Sequence, residues 1–180
     1  MKQSFIFYIL SLSIFLSGCF GANIYKKGSV NGYKDGVVLT HGGSFRVGQL
    51  ASYWRERPIN YRAVFFQNQN DASTITIDSW CKYAVDDSEL DVLALQINRR
   101  LSDFKLIKQH FLPLAGREAI YSEVSGKMDG VQVYMSSYIL KMNECVFDFI
   151  YVGYQADSPS HDDFNQMVRQ FEFIKGPKIL

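Results

Sequence analysis

From Arg117 to Val152 apolar residues occupy both phases of a two-residue period, interrupted at Asp129-Gly130 and Asn143-Glu144. Period two marks a β-strand, and Asp-Gly is a strong signal for a two-residue hairpin turn. The first turn sets Met128 opposite Val131, Val124 opposite Met135 and Ile120 opposite Ile139. The second sets Met142 opposite Cys145, Leu140 opposite Phe147 and Tyr138 opposite Phe149. One face of this meander then carries Ala119, Tyr121, Tyr138, Leu140, Phe147, Phe149 and Tyr151, and the other Ile120, Val124, Met135, Ile139, Val146, Ile150 and Val152. Both faces are apolar, so both must be covered.

Two amphipathic helices are available as covers. Leu90, Leu93, Ala94, Ile97 and Leu101 form one stripe over 88–101, with Ser88-x-x-Asp91 as a capping pair. Phe164, Met167, Val168 and Phe171 form another over 160–173, with Asp162 and Asp163 in a first turn that favours acids. Strands are predicted at 61–66, 74–80, 104–112 and 117–125, with polar turns at 67–71 and 113–116. A short hairpin joins 37–39 to 45–47, and the spacing of Leu50, Tyr53 and Trp54 ahead of Pro58 predicts a short helix over 48–57. The fold class is α+β, an antiparallel sheet with a long C-terminal meander flanked by two main amphipathic helices.

The chain opens differently. Lys2 precedes a twelve-residue apolar run, Phe5 to Leu16, and then Ser17, Gly18 and Cys19. That run is too short for a transmembrane helix, which needs about 20 apolar residues. Leu16-Ser17-Gly18-Cys19 resembles the lipobox of bacterial lipoproteins, cut before a cysteine that carries diacylglycerol on sulfur and an acyl group on its new amine. The resemblance implies an envelope location, with Cys19 as the lipidation site and its acyl chains (palmitate among them) as the membrane anchor. Phe20 stands where an Asp tends to hold such proteins in the inner membrane, which favours the outer membrane's periplasmic face. The expected organisation is a signal peptide (1–18), a lipidated flexible tether (19–36) rich in Gly, Asn and Lys, and a single globular domain (37–180).

Composition narrows the partners. Of 19 basic and 18 acidic residues only Lys2 lies in the leader, so the mature chain is balanced and has no general attraction for nucleic acid. Cys81 and Cys145 remain after lipidation, an even pair for an oxidising compartment. A disulfide between them would close a loop of about 64 residues and stabilise by roughly 4 kcal/mol; two free thiols are the alternative.

The order strands, helix, meander, helix, together with Gly116-Arg117-Glu118-Ala119 and Asp129-Gly130-Val131, is similar to the family of the photosystem II extrinsic protein PsbP and its bacterial relatives over residues 45–174. The resemblance implies a helix-flanked sheet acting as an accessory or binding module.

Catalytic signatures are sparse. His41-Gly42-Gly43-Ser44 resembles the oxyanion loop of esterases, but no Gly-x-Ser-x-Gly elbow accompanies it, and a hairpin turn accounts for the glycines. His41, His110 and His161 lack ligand-spaced partners, and His161-Asp162-Asp163 is what a helix N-terminus requires, so neither metal nor cofactor is expected. Trp54, Arg55, Arg57 and Arg62 make a basic and aromatic patch for a partner or ligand, unless Trp54 is core and the arginines a solvated face. The expected function is a noncatalytic envelope lipoprotein that docks on another envelope protein. The alternatives are a carrier or sensor of a lipid or other apolar ligand, supplied by the mature chain's aromatic residues, and a hydrolase using the His41–Ser44 loop.

Overall fold

The computed structural model describes residues 30–40, 43–58, 63–81 and 87–175. The leader, Cys19, His41, Gly42 and Arg62 lie outside the described residues. In chain order the elements are β1 (Val30–Lys34), β2 (Val37–Thr40), β3 (Gly43–Arg46), β4 (Trp54–Glu56), β5 (Val64–Asn68), β6 (Thr74–Cys81), α1 (Leu90–Asn98), β7 (Ser102–Leu114), β8 (Arg117–Met128), β9 (Val131–Met142), β10 (Cys145–Gly153), α2 (Pro159–Arg169) and β11 (Glu172–Lys175).

Seven strands form one antiparallel sheet in the order β4-β5-β6-β10-β9-β8-β7, and four form a second in the order β1-β2-β3-β11. The meander has the register expected from its turns, including Met128 opposite Val131 and Met142 opposite Cys145. Asp129 and Gly130 take φ of 51° and 82°, as a two-residue hairpin of this hand requires. Its two apolar faces seed two cores. Phe147, Phe149 and Tyr151 face α2 and the smaller sheet, while Ile120, Val124, Met135, Ile139 and Ile150 face α1. Phe45 of β3 is fully buried among Phe147, Phe149 and Phe171, with ring centroids 5.1, 6.3 and 5.4 Å away, which ties the two sheets together.

Four expectations are corrected. Residues 30–34, expected in the tether, form β1, because alternating Val37 and Val38 offer a partner ladder once Asp35-Gly36 reverses the chain. No helix forms over 48–57: Trp54–Glu56 instead completes the edge of the large sheet, where β5 satisfies its backbone, and Gly48 lies so near α2 that a Cβ would sit 2.9 Å from Met167 Cα. Helix α1 starts from Glu89 at its N-cap with no side-chain cap bond, so Ser88, the expected cap, stands one residue before the N-cap position. Helix α2 starts earlier, with Ser158 Oγ accepting the His161 amide at 3.2 Å and Pro159 at the first position. It also ends earlier: Phe173 leaves the helix to pair with Phe45 on β3.

Candidate functional site

Trp54 is 5% exposed, and its indole nitrogen donates to Asp163 Oδ2 at 2.9 Å, so its ring belongs to the core. Arg55 and Arg57 point to solvent, with Arg55 Nε reaching Gln69 Oε1 at 3.4 Å. A groove of about 390 Å³ runs beside them, lined among others by Tyr33, Trp54 and Phe66 and by the charged Asp35, Arg55 and Glu56. Its charges are mixed in sign, which suits a polar contact surface better than capture of one kind of ion.

The densest polar constellation lies where the first turn of α2 meets the large sheet. Asp163 Oδ2 accepts from Tyr53 OH at 2.6 Å as well as from Trp54, and Ser160 Oγ links Asn68 Nδ2 at 2.8 Å to Asp71 Oδ2. These bonds pin β4 and the β5–β6 turn to α2. Asp163→Ala would leave the buried Trp54 N–H without its acceptor. An expected loss of about 2 kcal/mol in urea unfolding, against about 0.5 kcal/mol or less for exposed Asp162→Ala, would measure that pin.

Next along the same turn His161 is buried between aromatic rings, its centroid 5.3 Å from Tyr134 and 5.2 Å from Tyr151. Loss of solvent holds its pKa below the ordinary imidazole value, so the ring is neutral at pH 7. Tyr121 OH donates to Glu123 Oε1 at 2.7 Å and lies 3.2 Å from His161 Nε2. Tyr138 OH donates to Asn165 Oδ1 at 2.9 Å, and Asn165 Nδ2 lies 3.4 Å from the same histidine nitrogen. Burial raises the pKa of Tyr121, Tyr134 and Tyr138, so these phenols keep their protons. The bonds among Tyr121, Tyr138, Asn165 and His161 orient these side chains, while the buried Tyr134 hydroxyl has no hydrogen-bond partner among the described residues. Periodicity put Tyr121, Tyr138 and Tyr151 on one face, but only the docking of α2 puts His161 against them.

On the opposite face Asp78 of β6 stands directly across from Asp148 of β10. Asp148 is 8% exposed. Burial first, and then the neighbouring Asp78, push its pKa up to about 7, against the opposing pull of Arg100; burial pushes Asp78 up to about 6. Two buried carboxyls facing each other across adjacent strands therefore resist ionisation well above the usual carboxylate range. Sequence reasoning overlooked this pair, yet a signal existed. Once Cys81 is set opposite Cys145, counting back three residues on β6 and forward three on β10 sets Asp78 opposite Asp148.

Cys81 and Cys145 are themselves joined, with Cα atoms 4.0 Å apart, across the β6–β10 ladder. Ser44 lies in β3 between Leu39 of β2 and Lys175 of β11, and Thr40 Oγ1 donates to Gly43 O at 3.0 Å within the hairpin. Among the described residues no cluster of three or more His, Cys, Asp or Glu could hold a metal, and no helix is long and apolar enough to cross a membrane.

No protein-family model and no curated protein matches the chain. Solved structures do share its fold. The solution structure of cyanobacterial PsbP (CyanoP) from Synechocystis superposes with a TM-score of 0.56 at 11% identity, over 88% of this chain and 99% of that one. A crystal structure from Bacteroides thetaiotaomicron gives 0.52 at 14% identity over 73% of this chain, which spans only 45% of that protein's length. A point mutant of the protein Mog1 gives 0.51 at 14% identity, over 81% and 94% of the two chains. The architecture is therefore α+β and PsbP-like, mostly antiparallel sheet with two helices. At these identities the likeness extends to the fold alone.

Proposed function

We propose that the chain is an envelope lipoprotein, anchored by acyl chains on Cys19, whose α+β body is a noncatalytic module docking on another envelope protein. The observation that carries the reading is the lipobox-like Leu16-Ser17-Gly18-Cys19 behind an apolar run. Cys19 stands eleven positions before Val30, where β1 begins, and a chain of that length spans at most ~40 Å fully extended, so the body works close to the bilayer. A binding role is favoured because the phenols of Tyr121 and Tyr138 and the imidazole of His161 keep their neutral forms and are engaged in structural hydrogen bonds. The PsbP-like fold supports an accessory role, as the sequence resemblance implies.

Cys19→Ser tests the anchor. The wild-type mature protein is expected to begin at Cys19, to carry the mass of a diacylglyceryl group plus an N-acyl chain, and to sediment with outer membranes. The variant is expected to keep its leader and carry no acyl mass. A wild-type protein without acyl mass, or a variant processed and retained like wild type, would sink the assignment.

A further inference from the structure

Among the described residues strand β7 ends the large sheet, pairing with β8 on one side only, and its thirteen residues make it the longest strand there. An unpaired edge exposes a row of backbone donors and acceptors and is a template for another strand. This edge is apolar as well: Leu106, Ile107 and Phe111 are 47%, 52% and 54% exposed. The register divides its side chains. Leu106 and Phe111 lie opposite Val124 and Ile120, on the face that carries α1, whereas Lys105, Lys108 and His110 lie opposite Ser125, Glu123 and Tyr121, on the face that carries α2. Over 104–111 the outer strand is thus mostly apolar on one face and basic on the other, while Leu112 and Leu114 at its end turn to the α2 side.

Its positive charges are only partly matched from within. Asp103 pairs with Lys127 at 3.1 Å, Glu123 stands across the ladder from Lys108 with its Oε1 turned to the Tyr121 hydroxyl, and Lys105 and Lys108 form no ion pair among the described residues; Lys108 Nζ lies 5.8 Å from the Tyr121 ring. Pairing with a second copy is opposed, because full antiparallel overlap of two β7 strands sets Lys108 opposite Lys108. At the end of the strand Phe111, Leu112, Pro113 and Arg117 help to line a cavity of about 470 Å³, wide enough for a side chain carried by an incoming strand.

We propose that β7 is the docking edge of this protein, and that it takes as an eighth strand an extended segment of a partner protein with aliphatic side chains on one face and carboxylates on the other. This rests on the docking role proposed above and names its surface. Main-chain bonds would supply affinity and the two side-chain rows the choice of partner.

A ten-residue peptide alternating Glu and Val is the probe, with a Lys-Val peptide as its control, each titrated against the full mature chain in detergent micelles. The Glu-Val peptide is expected to bind about tenfold or more tightly than the control and to slow hydrogen exchange at 104–112. K105E/K108E, two exposed substitutions, should reverse the preference. Equal binding of both peptides, protection elsewhere, or an unreversed preference would overturn the assignment, as would concentration-dependent dimers with slowed exchange at β7. In cells, a photo-crosslinker at Ile107 should give an adduct that K105E/K108E removes. Adducts at Leu95 on α1 alone would keep the docking role and overturn the edge, and adducts at neither position would overturn both.

Discussion

Raising the pH from 4 to 8 is expected to weaken the fold by about 6 kcal/mol through Asp78 and Asp148, and D148N to abolish more than half of that loss. Burial in the first place, then the facing carboxyl, lifts Asp148 to about 7, and burial lifts Asp78 to about 6, from 3.8. Below pH 4 both folded and unfolded chains hold these protons, so the pair does not affect the balance. Between pH 4 and 7 the unfolded chain releases them while the folded chain keeps them. The folded state then binds more protons, and its stability falls as pH rises until the pair ionises inside the fold. Above pH 7 the full penalty is present. Asn at 148 has nearly the same shape and no charge to desolvate, so D148N should be more stable than wild type at pH 8, by about 4 kcal/mol, and nearly equal at pH 4. Denaturant unfolding at pH 4, 6 and 8 measures both. Parallel pH profiles for wild type and D148N would show that the two carboxyls are not coupled as the ladder implies.

Reducing the Cys81–Cys145 bond is expected to cost roughly 4 kcal/mol, the chain entropy released when a loop of about 64 residues opens. The bond spans the one ladder that joins β4, β5 and β6 to the meander. Eight cross-strand pairs remain along β6 and β10, so the reduced protein should fold, but with β4–β6 exchanging amide hydrogens sooner than β8–β10. C81A/C145A in guanidinium, beside oxidised wild type, gives the magnitude, and hydrogen exchange gives the order of opening. A loss under about 1 kcal/mol would mean that the ladder alone constrains the unfolded chain as well as the bond does.

The meander was legible to the residue because its register is local: a two-residue turn leaves no slack, and every pair from Met128–Val131 outward follows by counting. Segment 48–57 was not, because three apolar residues fit a helical turn and a short edge strand equally, and only the open edge of β5 decided between them. The end of α2 failed likewise. Phe171, Glu172 and Phe173 continue a helical stripe on paper, while the vacant side of β3 draws Phe173 into a ladder. Of the expected patch, Arg55 and Arg57 are exposed as a surface patch requires, and Trp54 is turned inward by Asp163, over a hundred positions away.

By itself, then, the sequence determined the two-faced sheet and the pair of helices that cover it, since each depends on periodicity or turn chemistry, and left the cysteines as either a disulfide or two thiols until the β6–β10 ladder brought them together. The tertiary structure alone decided which strands stand at the edges and where His161 comes to rest. Those outcomes depend on contacts between residues far apart in the chain, whose free energies exceed the small local preferences that a sequence pattern records.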